Sequence, residues 1–351
     1  MPRVVRRRFR AERIVAIAAL LLTALTPSAA TAMTVPLGSR DSLQAVACPR
    51  PTRCTAISET KAVTFNPRSG RIVGHGARTI YNDKIHGDAL TFLSCPTADE
   101  CVAADGGGYE VTFNPQTGKR RPLRHVAVMS PTAMACATVT ECTLVDVEGP
   151  KTNIGGTELT FDPLTGKPNA AGDVSIDPGD GGLIGVACPT ASRCTGIDEF
   201  RSEVTFNPST GVAITTGQPV IARVANLTAI ACESSSSCTA IGGDSGYRDS
   251  GYQYTFKPRT GRVRGGKHRV SGHYLAALAC PAATLCAAIS TLGTEVSFNP
   301  QTGIRTRGET KILPRDLNAT FSISCPSVRQ CTAAAKRQVV TFNPLTAARL
   351  P

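Results

Sequence analysis

The sequence predicts an all-β fold, a seven-bladed β-propeller with four antiparallel strands per blade, and three recurring features carry that prediction. First, the 14 cysteines fall into seven pairs with five residues between partners: Cys48/Cys54, Cys95/Cys101, Cys136/Cys142, Cys188/Cys194, Cys232/Cys238, Cys280/Cys286 and Cys325/Cys331. Second, each pair is followed by an alternating segment that ends in Phe and usually Asn-Pro, as in Val63-Thr64-Phe65-Asn66-Pro67. The other copies centre on Phe113, Phe161, Phe206, Phe256, Phe298 and Phe342. Third, most copies then carry Thr-Gly, as at Thr117-Gly118, Thr165-Gly166, Thr210-Gly211 and Thr302-Gly303. Successive first cysteines lie 47, 41, 52, 44, 48 and 45 residues apart, a period that propellers and solenoids use.

Each blade reads in the same order. Leu227-Thr228-Ala229-Ile230-Ala231-Cys232 is a short apolar first strand. A tight polar turn follows, often opened by proline (Pro49, Pro96, Pro189, Pro281, Pro326), and then a second strand such as Cys238-Thr239-Ala240-Ile241. The third strand stops at Phe-Asn-Pro, because proline lacks the N–H that a ladder needs. Asn-Pro-x-Thr-Gly is turn chemistry, with glycine free to take a positive φ. A fourth, less regular strand is expected after it, at His125-Val126-Ala127-Val128 or Gln218-Pro219-Val220-Ile221. Helical repeats of this length are excluded by the Gly, Pro and β-branched content. After Phe342-Asn343-Pro344 only seven residues remain, so the last blade lacks a fourth strand. Thr34-Val35-Pro36-Leu37 is expected to complete blade seven and remove a sheet edge.

Residues 1–32 read as an export signal and 33–351 as the propeller. Six arginines (Arg3, Arg6, Arg7, Arg8, Arg10, Arg13) precede or open an apolar run of 12 residues, Ile14 to Leu25, and Ala30-Thr31-Ala32 fits a signal-peptidase site. As a helix that run spans roughly 18 Å, too short for the ~30 Å core of a bilayer. Arg6-Arg7 followed by Phe9 hints at twin-arginine export, but Arg10 stands where that signal prefers an apolar residue, so the route stays open. The segment holds six of the 38 basic and one of the 26 acidic residues, so the mature chain carries +7 rather than +12. That balance does not argue for nucleic acid, and a secreted monomer is expected.

Within one blade a cysteine pair brackets the turn between first and second strands. A disulfide there joins neighbouring antiparallel strands, at an expected Cα separation of about 4.4–6.8 Å. Each adds about 2–2.5 kcal/mol in the chain-entropy description and suits an oxidising compartment. Zinc binding is the competing reading; it needs two pairs to converge at C-x2–4-C spacing, which pairs on separate sheets do not offer.

One face of a propeller carries the loops between second and third strands and between blades; the other carries the cysteine and Thr-Gly turns. Repeat length varies on the first face, as in the loops 146–158 and 242–253, and variable loops on a rigid ring are where binding usually resides. Blades two, three and four depart from the others there. Each has an Asp four residues after its second cysteine (Asp105, Asp146, Asp198) and a Glu three before its Phe (Glu110, Glu158, Glu203). Facing carboxylates invite a cation such as calcium, or a basic ligand. The plainer reading is an Asx turn at each Asp and a solvated Glu. No other cofactor is implied.

The opposite face is basic around the Thr-Gly turns, with Arg68, Arg71, Lys119, Arg120, Arg121, Arg259, Arg262, Arg264, Arg305 and Arg307. It could meet an anionic cell-envelope polymer, or be a set of solvated turns. The five histidines (His75, His86, His125, His268, His273) form no H-E-x-x-H, and no G-x-S-x-G, phosphate loop or sialidase-type Asp box occurs. With no Trp, stacking on a sugar would rest on Tyr81, Tyr109, Tyr247, Tyr252 or Tyr274.

The run Ser94-Cys95-Pro96-Thr97-Ala98-Asp99-Glu100-Cys101-Val102-Ala103-Ala104-Asp105 resembles the SCPS..FCVAVD repeat of secreted actinobacterial C-x5-C propeller proteins. The resemblance covers nearly the whole mature chain and implies a secreted propeller, without an activity. The Trp-containing final strand frequent in those repeats is missing here. Two functions follow from the sequence. One is an extracellular binding or scaffold module for a protein, peptide or cell-envelope polymer, through the variable loop face. The other is a hydrolase, or a lyase like the streptogramin lyases, with His86 or His273 meeting Asp105 or Asp198 over the central channel.

Overall fold

The computed structural model describes residues 33–35, 41–82, 88–127, 130–147, 155–169, 172–177, 181–198, 201–215, 221, 225–244, 250–315 and 320–350. The expected signal segment 1–32, and Pro36, Leu37, His86, Val128, Gln218 to Val220 and Tyr247, lie outside them.

The described strands form seven antiparallel sheets, each a propeller blade. Blade one runs from an inner strand, Ala45–Arg50, through Arg53–Ile57 and Lys61–Phe65 to a short outer strand, Arg78–Thr79. Every blade shares one register: the phenylalanine of the third strand sits directly across from the second cysteine, as in Cys54↔Phe65, Cys101↔Phe113 and Cys142↔Phe161. All seven phenylalanines are buried. All seven disulfides form within blades as expected, with Cα atoms 3.9–4.1 Å apart, tighter than the usual range. The cause is register: Cys136 and Cys142, like Cys232 and Cys238, are directly opposed at the end of a hairpin.

The bridges reach into the core. Although each brackets a polar turn, the second cysteine of every pair is 0 % exposed: Cys54, Cys101, Cys142, Cys194, Cys238, Cys286 and Cys331. The reason is that each shares a face with the phenylalanine across from it, as in Cys194↔Phe206, Cys286↔Phe298 and Cys331↔Phe342. That face is packed between blades. Cys194 joins a core with Val145 of blade three, Cys286 one with Ile241 of blade five, and Cys331 one with Ile289 of blade six. These cysteines are therefore core residues as well as cross-links, closed to a metal or a partner.

Strand alternation gives each blade two unlike faces. One face carries Phe, Cys and Val and packs on the preceding blade; Cys54, Val63 and Phe65 of blade one meet Ala334 and Val339 of blade seven. The other face carries hydroxyls. Cross-strand threonine pairs such as Thr55–Thr64 (3.0 Å) and Thr143–Thr160 (2.8 Å) are buried on it. From this face a hydroxyl reaches the next blade's turn: Thr64 Oγ1 donates to the Pro115 carbonyl at 2.7 Å, and Thr112 Oγ1 to that of Pro163 at 3.0 Å. Nearer the axis, Thr228 Oγ1 donates to the Leu275 carbonyl of the next inner strand at 2.8 Å.

The ring closes as predicted. Met33–Thr34 pairs with the third strand of blade seven, Gln338–Phe342, through Met33↔Val339 and Thr34↔Gln338. The blade-seven inner strand then joins blade one, with Ser322 Oγ accepting from Val46 N–H (3.0 Å) and Ser324 Oγ from Cys48 N–H (2.9 Å).

Most of the described fourth strands are short. In blade two the outer strand is Arg124–His125; Val126 and Ala127 donate their N–H groups to the Gly108 carbonyl, and Ala127 is buried in the core. In blade four the outer strand is Val212–Ala213, ahead of the expected segment, and Ile221 contributes one N–H to the Arg201 carbonyl. The reason is that most outer edges are split: one contact follows the Thr-Gly turn (Phe65↔Ile72, Phe113↔Arg120, Phe298↔Arg305) and a second lies at the far end of the third strand. Blade five alone among the described residues has a long outer strand, Arg262–Ser271.

Candidate functional site

The acidic positions are part of the frame. Asp105, Asp146 and Asp198 are buried and close the hairpins between second and third strands. Asp105 Oδ1 accepts from Gly107 N–H (3.0 Å) and Tyr109 N–H (2.8 Å), and its Oδ2 takes the Tyr81 hydroxyl. Asp146 accepts from the Thr157 N–H (3.3 Å) and hydroxyl, and Asp198 from Ser202 N–H at 2.6 Å. Ser58 and Ser290 do the same work in blades one and six, accepting from Lys61 N–H (3.2 Å) and Thr294 N–H (3.1 Å). The Asx-turn reading therefore describes the aspartates.

The glutamates are not solvated, and they do not face the aspartates. Glu110, Glu158 and Glu203 pair across with Ala104, Val145 and Ile197, the residues just before each Asp. Alternation then points the Asp toward the preceding blade and the Glu toward the following one. The carboxylates of one hairpin thus lie on opposite faces of its sheet and cannot share a cation there. Glu110, Glu158, Glu203 and also Glu295 of blade six are at most 1 % exposed, and each accepts from the Thr or Ser hydroxyl two residues on. Burial pushes the carboxyls of Glu110, Glu158 and Glu203 up to about 7, against those hydroxyls, and raises Glu295 as well. Arg124 lies 3.6 Å from Glu110, and Arg307 pairs with Glu295. Sequence reading passed over Glu295, although it also stands three residues before its Phe.

Of the two histidines that the catalytic reading names, only His273 is among the described residues. His273 lies 4.0 Å from Glu309, and His125 rests on Tyr109 with ring centroids 4.6 Å apart. Asp105 and Asp198 are engaged as above. Tyr81 is buried, its hydroxyl held well above the usual phenol range by burial and by Asp105, so it offers no stacking surface.

The basic face resolves into different environments. Arg68 Nε donates to Gln330 Oε1 at 2.7 Å, and Arg305 lies 3.5 Å from Glu309. A cavity of about 310 Å³ in blade two mixes Lys119, Arg120 and Arg121 with Asp99 and Glu100. A larger groove of about 510 Å³ lies between blades four and five, lined by Arg193, Ile214, Ser235, Ser236, Lys257, Pro258, Arg259, Thr260 and Arg264. Arg259 and Arg264 are among the arginines expected on this face. Arg193 and Lys257 are additions, and Lys257 had a signal: it stands where other repeats have Asn, or in blade three Asp, before Pro.

Ring, register and closure define a seven-bladed, disulfide-bridged β-propeller. Among solved structures it is similar to one described as YCF48 bound to D1 peptide, with a TM-score of 0.60 and 11 % identity over 89 % of this chain and 95 % of that one. At that identity the likeness speaks for the fold. No protein-family model and no curated protein sequence matches the chain.

Proposed function

We propose that the chain is an exported binding scaffold that holds a protein or peptide partner on its loop-bearing face. The observation that carries this reading is the capped hairpin. In blades one to four and six a buried Ser or Asp fixes the turn between second and third strands, directly beneath the loops that vary between repeats. A fixed platform lowers the ordering cost of binding. The peptide-bound propeller of similar fold supports the same reading. Export is supported by seven disulfides, and among the described residues no helix is long and apolar enough to cross a membrane.

The test is selection from a displayed random-peptide library on the oxidised protein, followed by hydrogen exchange of the enriched complexes. Protection is expected over the hairpins 105–109 and 290–294. Failure to enrich any peptide, or protection confined to the cysteine turns, overturns the proposal.

A further inference from the structure

Seven copies of one turn let each departure be judged against the others. In six blades the turn after the third strand opens on Asn66, Asn114, Asp162, Asn207, Asn299 or Asn343. The side-chain oxygen accepts the N–H two residues on at 2.8–3.0 Å. The N–H four residues on, from Gly70, Gly118, Gly166, Gly211, Gly303 or Ala347, returns to the carbonyl of the opening residue. Blade five reads Lys257-Pro258-Arg259-Thr260-Gly261 and has no such oxygen.

Its turn is rebuilt. Arg259 sits at φ 78°, and Thr260 N–H meets the Lys257 carbonyl at 3.4 Å. Proline second and a positive φ third make a type II turn, which favours Gly or Asn in the third place. The Pro258–Arg259 peptide is turned over relative to other blades. Elsewhere the proline carbonyl accepts a threonine hydroxyl from the preceding blade, as at Pro115, Pro163 and Pro300. Here Arg259 N–H donates to Thr205 Oγ1 (3.1 Å), and Gly261 N–H to Glu203 Oε1 (3.1 Å). Blade five has thus exchanged a side-chain cap for these two bonds to blade four. It has also taken a long side chain into left-handed backbone, which is costly outside glycine.

What the rebuilt turn gains is charge in one place. Lys257 and Arg259 from the turn, Arg264 from the outer strand and Arg193 from blade four line the groove between the blades. The hydroxyls of Ser235, Ser236 and Thr260 stand beside them, and among the described residues no carboxylate lines it. Nor, among those residues, is any of the four cations in an ion pair. Arg193 Nη1 donates to the Ser235 carbonyl (3.0 Å), while its buried Nε has no hydrogen-bond partner. Glu203 and Glu233, outside the lining, accept from Gly261 N–H and the Ser237 hydroxyl.

We propose that this groove binds phosphate-class oxyanions presented along a phosphodiester or polyphosphate chain. A carboxylate is planar, and a single guanidinium fork satisfies it. Cations from two walls, with hydroxyls between them, suit a tetrahedral group whose oxygens point in several directions. The groove also lies on the face opposite the capped hairpins, so this proposal does not depend on the partner of the loop face.

The test is calorimetric titration of the oxidised protein, at constant ionic strength, with short-chain polyphosphate, poly(glycerol phosphate) and polygalacturonate. Arg259→Gly relieves the positive φ, and Lys257→Asn offers Arg259 N–H the acceptor used in the other blades in place of Thr205 Oγ1, so both variants should fold about as well as the parent. Each is expected to weaken binding of the phosphate polymers by about tenfold. Lys119→Gln with Arg120→Gln, at the mixed-charge cavity of blade two, should change it by less than about twofold. The proposal is overturned if neither phosphate polymer binds, or if polygalacturonate binds as tightly. It is equally overturned if the groove variants bind like the parent, or if the blade-two variant weakens binding as much as they do.

Discussion

Replacing Glu158 by Gln should make the propeller more stable at pH 8 and nearly leave it alone at pH 5. Glu158 is wholly buried, accepts from Thr160 Oγ1 at 2.7 Å through Oε2, and leaves Oε1 without a partner. Burial, with repulsion from Glu141 and Asp173, pushes its carboxyl from 4.5 up to about 7. The folded protein therefore holds a proton that the unfolded chain releases near pH 4.5. Stability falls as pH rises from there to about 7, and the loss persists above. A shift from 4.5 to about 7 amounts to about 3 kcal/mol. Glutamine cannot ionise, and it fits: blade five already has Gln253 in this position, accepting from Thr255 Oγ1 (2.9 Å) and donating to the Pro300 carbonyl (3.2 Å). Guanidinium unfolding of the oxidised parent and Glu158→Gln at pH 5, 6, 7 and 8 gives the comparison. The advantage of the variant should grow by about 2–3 kcal/mol across that range. A variant less stable at pH 8, or a difference that does not change with pH, would refute the reasoning.

Other expectations follow from the frame. Replacing Cys136 and Cys142 together by Ser should cost about 2–5 kcal/mol in a denaturant titration, from the lost cross-link and the hydroxyl buried at position 142. Phe161→Ala, opposite Cys142, should cost about 3–5 kcal/mol by the same measurement. Asp146→Ala removes the acceptor for Thr157 and should cost about 1–2 kcal/mol, whereas Asp146→Asn keeps an acceptor and should cost less, read as melting temperature. Deleting residues 33–38 uncovers one end of the Gln338–Phe342 strand, and hydrogen exchange should quicken in blade seven before any other. Because Asp and Glu of blades two to four occupy opposite faces, calcium or a chelator should leave the melting temperature unmoved; a calcium-dependent rise would restore the acidic-loop site.

The fold was legible because its determinants are local and repeated. Cysteine spacing, Phe-Asn-Pro and the spare strand at residue 34 each constrain a backbone position, and seven copies make the register unambiguous. The outer strands were overextended because their pairing is set by contacts with turns and neighbouring edges, to which periodicity is blind. The acidic positions were misread for a related reason. Counting from Cys and Phe located Asp105 and Glu110 correctly but ignored that neighbouring positions across a hairpin alternate between faces. Asp105 could be read as a cap from Asp105-Gly106, whereas Asp146 and Asp198, followed by Val147 and Glu199, carry no such signal. That the glutamates are buried, like the inner sulfurs of Cys194, Cys286 and Cys331, followed only from the packing of blade on blade. The groove escaped because it joins blade four to blade five; Lys257 was visible as a break in the motif, but Arg193 lies 64 residues earlier in the chain.

Blade seven takes both ends of the described chain onto one strand: Met33 stands beside Val339, and Arg349 beside Phe342. Three residues along a strand is about 10 Å, so the two ends leave the molecule side by side on its outer rim. A short linker could join them and new ends could be cut at a Thr-Gly turn elsewhere, giving permuted rings with the same blades. By the same geometry, a cargo or anchor fused at either end would hang from the rim and leave the loop face and the cationic groove open together.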